Sequence, residues 1–172
     1  VQYVLGTALY RGLCWGYCGI DAVDTSLAAL DSALGRATDA RLGAAIRVQL
    51  ADVLVNRKRS DVRQLEQAIA HYVAALETAE DASDDELQAF CHRGLGRAFQ
   101  HRRVGPRMEN VGQSAKHYEQ ACNIYGILAD AVSQAQVALD WADLHASMAC
   151  EDSVHWERAM ALYDRWRDAF PP

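Results

Sequence analysis

The sequence has little proline, no long apolar run and no surplus of positive charge, and each shortage removes a class of protein. Three prolines occur in 172 residues, two of them at the very end, so only Pro106 interrupts the interior. With eleven glycines besides, little in the chain opposes helix. The apolar runs fall far short of the roughly 18 residues a membrane span needs, so no spanning segment is expected. Seventeen Lys and Arg against 23 Asp and Glu give a net charge of −6, which argues against broad nucleic-acid binding, since that needs a basic surface. Cysteine is sparse and odd in number: Cys14, Cys18, Cys91, Cys122 and Cys150. Their irregular spacing is no disulfide framework and fits a reducing, cytoplasmic compartment.

Motifs for chemistry are also missing. The chain has no zinc-protease helix motif, no P-loop and no nucleophile elbow. Cys14 and Cys18 flank Trp15-Gly16-Tyr17, but a Cys-x₃-Cys pair needs two further ligands to hold zinc, and no nearby histidine supplies them. Six histidines, His71, His92, His101, His117, His145 and His155, are scattered, and none has a second histidine and a carboxylate at ligand spacing. Cys91 reads as a packed thiol, and its neighbour His92 as a surface or groove residue. The expectation is a protein without catalysis, metal or cofactor.

What is present is apolar, helix-favouring and periodic. Apolar residues make up 51% of the chain. A small residue recurs at Gly6, Ala51, Gly96 and Ala142, in steps of 45, 45 and 46, each preceded by Leu5, Leu50, Leu95 or Trp141. A second series runs Leu30, Tyr72, Tyr118 and Tyr163, with Ala33, Ala75, Ala121 and Trp166 three positions on. Two interleaved series at one period predict a two-helix unit repeated four times, at approximately 1–38, 39–82, 83–129 and 130–172. One such unit cannot bury its apolar stripe alone, so neighbours stack.

Along the chain, helix A of the first repeat is expected at about residues 2–14 and its partner from Val23 to Ala37. Thr38 or Asp39 is placed to cap the next helix, which carries Leu42, Ile46, Leu50, Val53 and Leu54. Arg59-Ser60-Asp61 offers another cap before the stripe Leu65, Ala68, Ile69, Tyr72, Ala75 and Leu76. Ser83 with Glu86, and Asn110 with Gln113, have capping-box spacing. Glu80 to Glu86 reads as a solvated turn, and so does the patch Arg102, Arg103 and Arg107. Trp141, Trp156 and Trp166 read as filling the last helix pair, and Pro171-Pro172 ends it.

Leu5-Gly6 with Leu9, Leu50-Ala51 with Leu54, and Leu95-Gly96 with Phe99 resemble helix A of the tetratricopeptide repeat. Ala68, Tyr72 and Ala75 resemble its helix B; Ser114, Tyr118 and Ala121, and Ala159, Tyr163 and Trp166, do so with one departure each. The usual unit is about 34 residues, and the extra length here is expected mainly around the A-to-B turn, as in Asn56 to Arg63. Such long repeats are similar to arrays in large bacterial and fungal signalling proteins, beside caspase-like protease or nucleotide-switch domains. Val1 is not a methionine and the first residues already carry the repeat, so the chain is expected to be a piece of a longer protein.

The resemblance implies an all-α superhelix of four hairpins, eight antiparallel helices in one repeat domain, 1–172, with helices A lining a concave groove. Groove positions are then Tyr3, Thr7, Tyr10 and Arg11; Val48, Asp52, Val55 and Asn56; Arg93, Arg97, Gln100 and His101; and Leu139, Asp143, Ala146 and Ser147. The Lys/Asn set that clamps a chaperone's C-terminal carboxylate is not reproduced. The expected partner site is Tyr10, Arg11, Asp52, Asn56, Arg93, Arg97, Gln100, His101 and Asp143, with apolar contacts near Val48, Val55 and Leu139. Arginines there would engage carboxylates of a protein or peptide segment; alternatively, Arg97 pairs with Asp52 or Asp143 as internal structure. The expected function is non-catalytic protein binding. The alternative is a spacer, or an intramolecular clamp on a neighbouring domain, and uncapped end helices would permit self-association.

Overall fold

The structure, a computed structural model, describes residues 21–56, 61–148 and 153–166. Among the described residues the chain is all-α, with seven helices and no strand. These are α1 (Asp21–Leu34), α2 (Ala40–Asn56), α3 (Val62–Asp81), α4 (Asp85–His101), α5 (Arg107–Ile127), α6 (Ala131–Met148) and α7 (Ser153–Trp166). The helix expected at 2–14, with Tyr10, Arg11 and Cys14, lies outside the described residues, as do Cys18, Cys150 and Pro171. Packing is mostly sequential, in antiparallel pairs. The chain falls into two compact units, residues 1–84 and 85–172. No described helix is long and apolar enough to cross a membrane.

In the first unit α2 packs on both α1 and α3, and its sequence reflects this. Ile46, Leu50 and Val53 meet Leu30 of α1, while Ala44, Val48, Ala51, Leu54 and Val55 are buried as well, so little of the helix is left for water. On α3 the buried residues are Leu65, Ala68, Tyr72, Ala75 and Ala79, one stripe at alternating steps of three and four. Asp39 caps α2 by accepting from the Leu42 N–H at 3.0 Å. Asp61 begins α3 with a full capping box, its carboxylate accepting from Gln64 N–H and the Gln64 side chain accepting from Asp61 N–H.

In the second unit α5 packs on α4 and α6, α6 on α7, and α6 also touches α4. Tyr118, Ala121 and Tyr125 of α5 form a core with Ala89 of α4 and Val137 and Leu144 of α6, with Trp141 packed against it. Trp141, expected to fill the last helix pair, is half-buried against this core of α4, α5 and α6, while the side chains of Trp156 and Trp166 lie outside the described residues.

Two expectations about breaks are corrected. Ser83 is no N-cap: it has φ 51°, and its N–H and that of Asp84 bond back to Glu80 and Ala79 carbonyls, closing α3 in a Schellman motif. Ala129 (φ 56°) does the same for α5, its N–H and that of Asp130 reaching Gly126 and Tyr125. Asn110 is no cap either. The helix starts earlier, behind Pro106, and Asn110 is buried in its first turn, donating to the Val104 carbonyl at 2.9 Å. Finally, the extra length expected around turns such as Asn56 to Arg63, of which residues 57–60 lie outside the described residues, is seen in the described helices. Helices α2 to α6 are 17 to 21 residues long, and a unit of about 34 residues could not hold two of them.

Candidate functional site

Helix α4 carries four of the nine expected partner-site residues, and its placement starts at Gly96. A Cβ there would lie 2.6 Å from the Tyr118 ring, so only glycine lets α4 and α5 come this close. The Ser114 hydroxyl donates to the Gly96 carbonyl at 2.7 Å, and the Tyr118 hydroxyl donates to Gln100 Oε1 at 2.8 Å. Burial pushes the Tyr118 phenol far above its ordinary range. Locked in this way, α4 turns Arg93 toward α6, where its Nε donates to Asp140 at 2.8 Å and its Nη1 to Gln136 at 2.9 Å.

The expected residues therefore divide. Asp52 accepts from the Tyr72 hydroxyl, and Asn56 donates to the Asp52 carbonyl at 2.8 Å. Arg93 and Gln100 also have internal partners, as above. Val48 and Val55 are buried, which removes them as contacts for a partner; Leu139 is half-buried. Arg97 is half-buried, and His101 and Asp143 are exposed. The structure brings Arg93 to α6, but to Asp140, which sequence reasoning missed. A repeat register lines up equivalent positions and does not reveal which side chains meet across two helices.

The end of α4 is electropositive. Partial burial of its ring, then Arg97 and Arg103, lower the His101 pKa. Arg102 stacks on Phe99, its guanidinium 5.7 Å from the ring centre, and Arg107 reaches the Ser147 carbonyl at 3.5 Å. Of the three arginines expected in a solvated turn, Arg103 and Arg107 are exposed and Arg102 is half-buried.

His92, expected as a surface or groove residue, is buried. Its Nδ1 lies 3.0 Å from Nδ1 of His117 on α5. His145 of α6 and His155 of α7 make the same contact at 2.9 Å. No cluster of three or more metal-ligating side chains occurs among the described residues. Burial raises the thiol of Cys122 to about 11, so it is protonated at neutral pH. No protein-family profile matches the chain, and no curated protein is significantly similar to it.

Proposed function

We propose that the chain is a non-catalytic protein-interaction module of tetratricopeptide-like hairpins, and that it receives an acidic peptide or helix of a partner on the α4–α6 face of its second unit. The observation that carries this reading is the placement of Arg97 and Arg103 beside His101 at one end of α4, two permanent cations in a chain of net charge −6. A cationic patch on an acidic molecule steers and orients an acidic partner. Exposed Asp143 on α6 would disfavour a uniformly acidic segment and so fix its direction.

Affinity capture from the source lysate tests this with the native chain beside an Arg97→Glu/Arg103→Glu variant of matched helicity and melting temperature. A specific protein lost from the variant supports the face. Identical catches overturn it. The alternative, a spacer or a clamp on a neighbouring domain, is favoured by the internal partners of Asp52, Arg93 and Gln100. A clamp would bind its own neighbouring domain in trans.

A further inference from the structure

Four of the six histidines meet in two pairs of the same geometry, both in the second unit. In each, Nδ1 faces Nδ1, at 3.0 and 2.9 Å, with ring centres 5.3 and 5.2 Å apart and planes inclined by 30° and 31°. The first pair joins α4 to α5 and the second joins α6 to α7, so each bridges the two helices of one hairpin. They are not one repeat position copied, since the partners lie 25 residues apart in one and 10 in the other. Aromatic rings hold one member of each: Phe99 stacks on His117 at 5.6 Å, and Trp141 lies 6.2 Å from His145.

An N–H···N bond between imidazoles exists only while the accepting nitrogen keeps its lone pair. A second proton sets two N–H groups against each other inside a partly buried contact. The charges acting on the first pair are Lys116 on α5, and on the second Arg158 on α7. Both are cations and oppose protonation. Asp140, on the α6 surface that meets α4, is engaged by Arg93.

We propose that these pairs are acid-sensitive clasps, which hold the hairpins of the second unit closed at neutral pH and release them on mild acidification. The proposal is independent of the partner-binding reading. Burial first, then the neighbouring positive charges, lower the pKa of His92, His117 and His145, with His117 falling to about 4. A histidine whose pKa is depressed by folding contributes stability above about 6.5, its unfolded value, and loses it as pH falls toward the folded one. For His117 the window therefore runs from about pH 6.5 down to about 4, and for His92 and His145 it opens below about 6.5. His71 in the first unit, lowered by burial and then Arg47 with Asp31 opposing, and His101 at the end of α4, lowered by burial and then Arg97 and Arg103, add slopes of their own that the paired variant leaves in place.

Urea unfolding of the native chain, followed at the amides of α4 to α7, reads this directly. The unfolding constant should rise at least about tenfold between pH 7 and pH 5. In a His117→Gln/His155→Gln variant that rise should shrink several-fold, because glutamine can turn its carbonyl toward a protonated partner. An undiminished rise overturns the proposal. Should the variant fail to fold, ¹⁵N spectra of the native histidines decide. Nδ1–Nδ1 coupling at pH 7 that vanishes across this window supports the clasp, and four uncoupled rings titrating near 6.5 overturn it. Loss of stability on adding EDTA at pH 7 also overturns it, in favour of a metal between the rings.

Discussion

Two tyrosines of α5 separate what a hydroxyl contributes from what a ring contributes. Tyr118 donates to Gln100, so Tyr118→Phe should cost about 0.5–1.5 kcal/mol in urea unfolding. Tyr125 has its hydroxyl buried with no partner among the described residues, and burial pushes its pKa up to about 12. Tyr125→Phe should therefore be neutral or mildly stabilising by the same measurement. Gly96 gives a sharper test, because two effects oppose. Alanine is favoured in a helix interior by about 1 kcal/mol, but its Cβ would meet the Tyr118 ring at 2.6 Å. That ring is fully buried and pinned at its hydroxyl, so it cannot give way. Overpacking of about 1–3 kcal/mol should win, and Gly96→Ala should lower the melting temperature despite better helix propensity. The register of Gly96 and Tyr118 was legible in the sequence as two interleaved series. The partners of their polar atoms were not, because those depend on where α4 sits against α5.

At the scale of elements, the ends tell more than the middles. The apolar stripe of α3 reads directly from its spacing, and Asp61 caps it as the sequence implied. Asp61→Ala should cost about 1 kcal/mol, seen as a lower urea midpoint. The break after α5 was less legible, since a left-handed residue is ordinarily signalled by glycine and here is Ala129 at φ 56°. Alanine in that conformation is strained by about 1–2 kcal/mol, which glycine's greater unfolded entropy offsets only in part. Ala129→Gly should raise stability by about 0.5–1 kcal/mol, read from the same unfolding curves. Ser83 departs from its spacing for a related reason. A Ser-x-x-Glu spacing matches a capping box, yet Ser83 lies only two residues beyond the end of α3 and closes that helix instead.

For the whole molecule, the division at residues 84 and 85 has a consequence. The second unit has its own core, in which Tyr118, Ala121, Val137 and Leu144 are each at most 1% exposed. Residues 85–172 expressed alone should give a helical circular-dichroism spectrum and a cooperative melt. Gly96→Ala should destabilise that piece and the full chain alike, within about 0.5 kcal/mol. A non-cooperative melt would show that the second unit needs the first.

The sequence by itself determined the described helices and the period of their apolar stripes, because the repeat of apolar and small residues is a local property of the chain, but it did not show that Val48 and Val55, read as groove positions, are buried. Only the tertiary structure decided which polar groups meet. Arg93 finds Asp140 on α6, His92 finds His117, and His145 finds His155, over sequence gaps of 47, 25 and 10 residues. Such contacts depend on the rotation and offset of packed helices, set by side-chain shape at the interface and leaving no period to read.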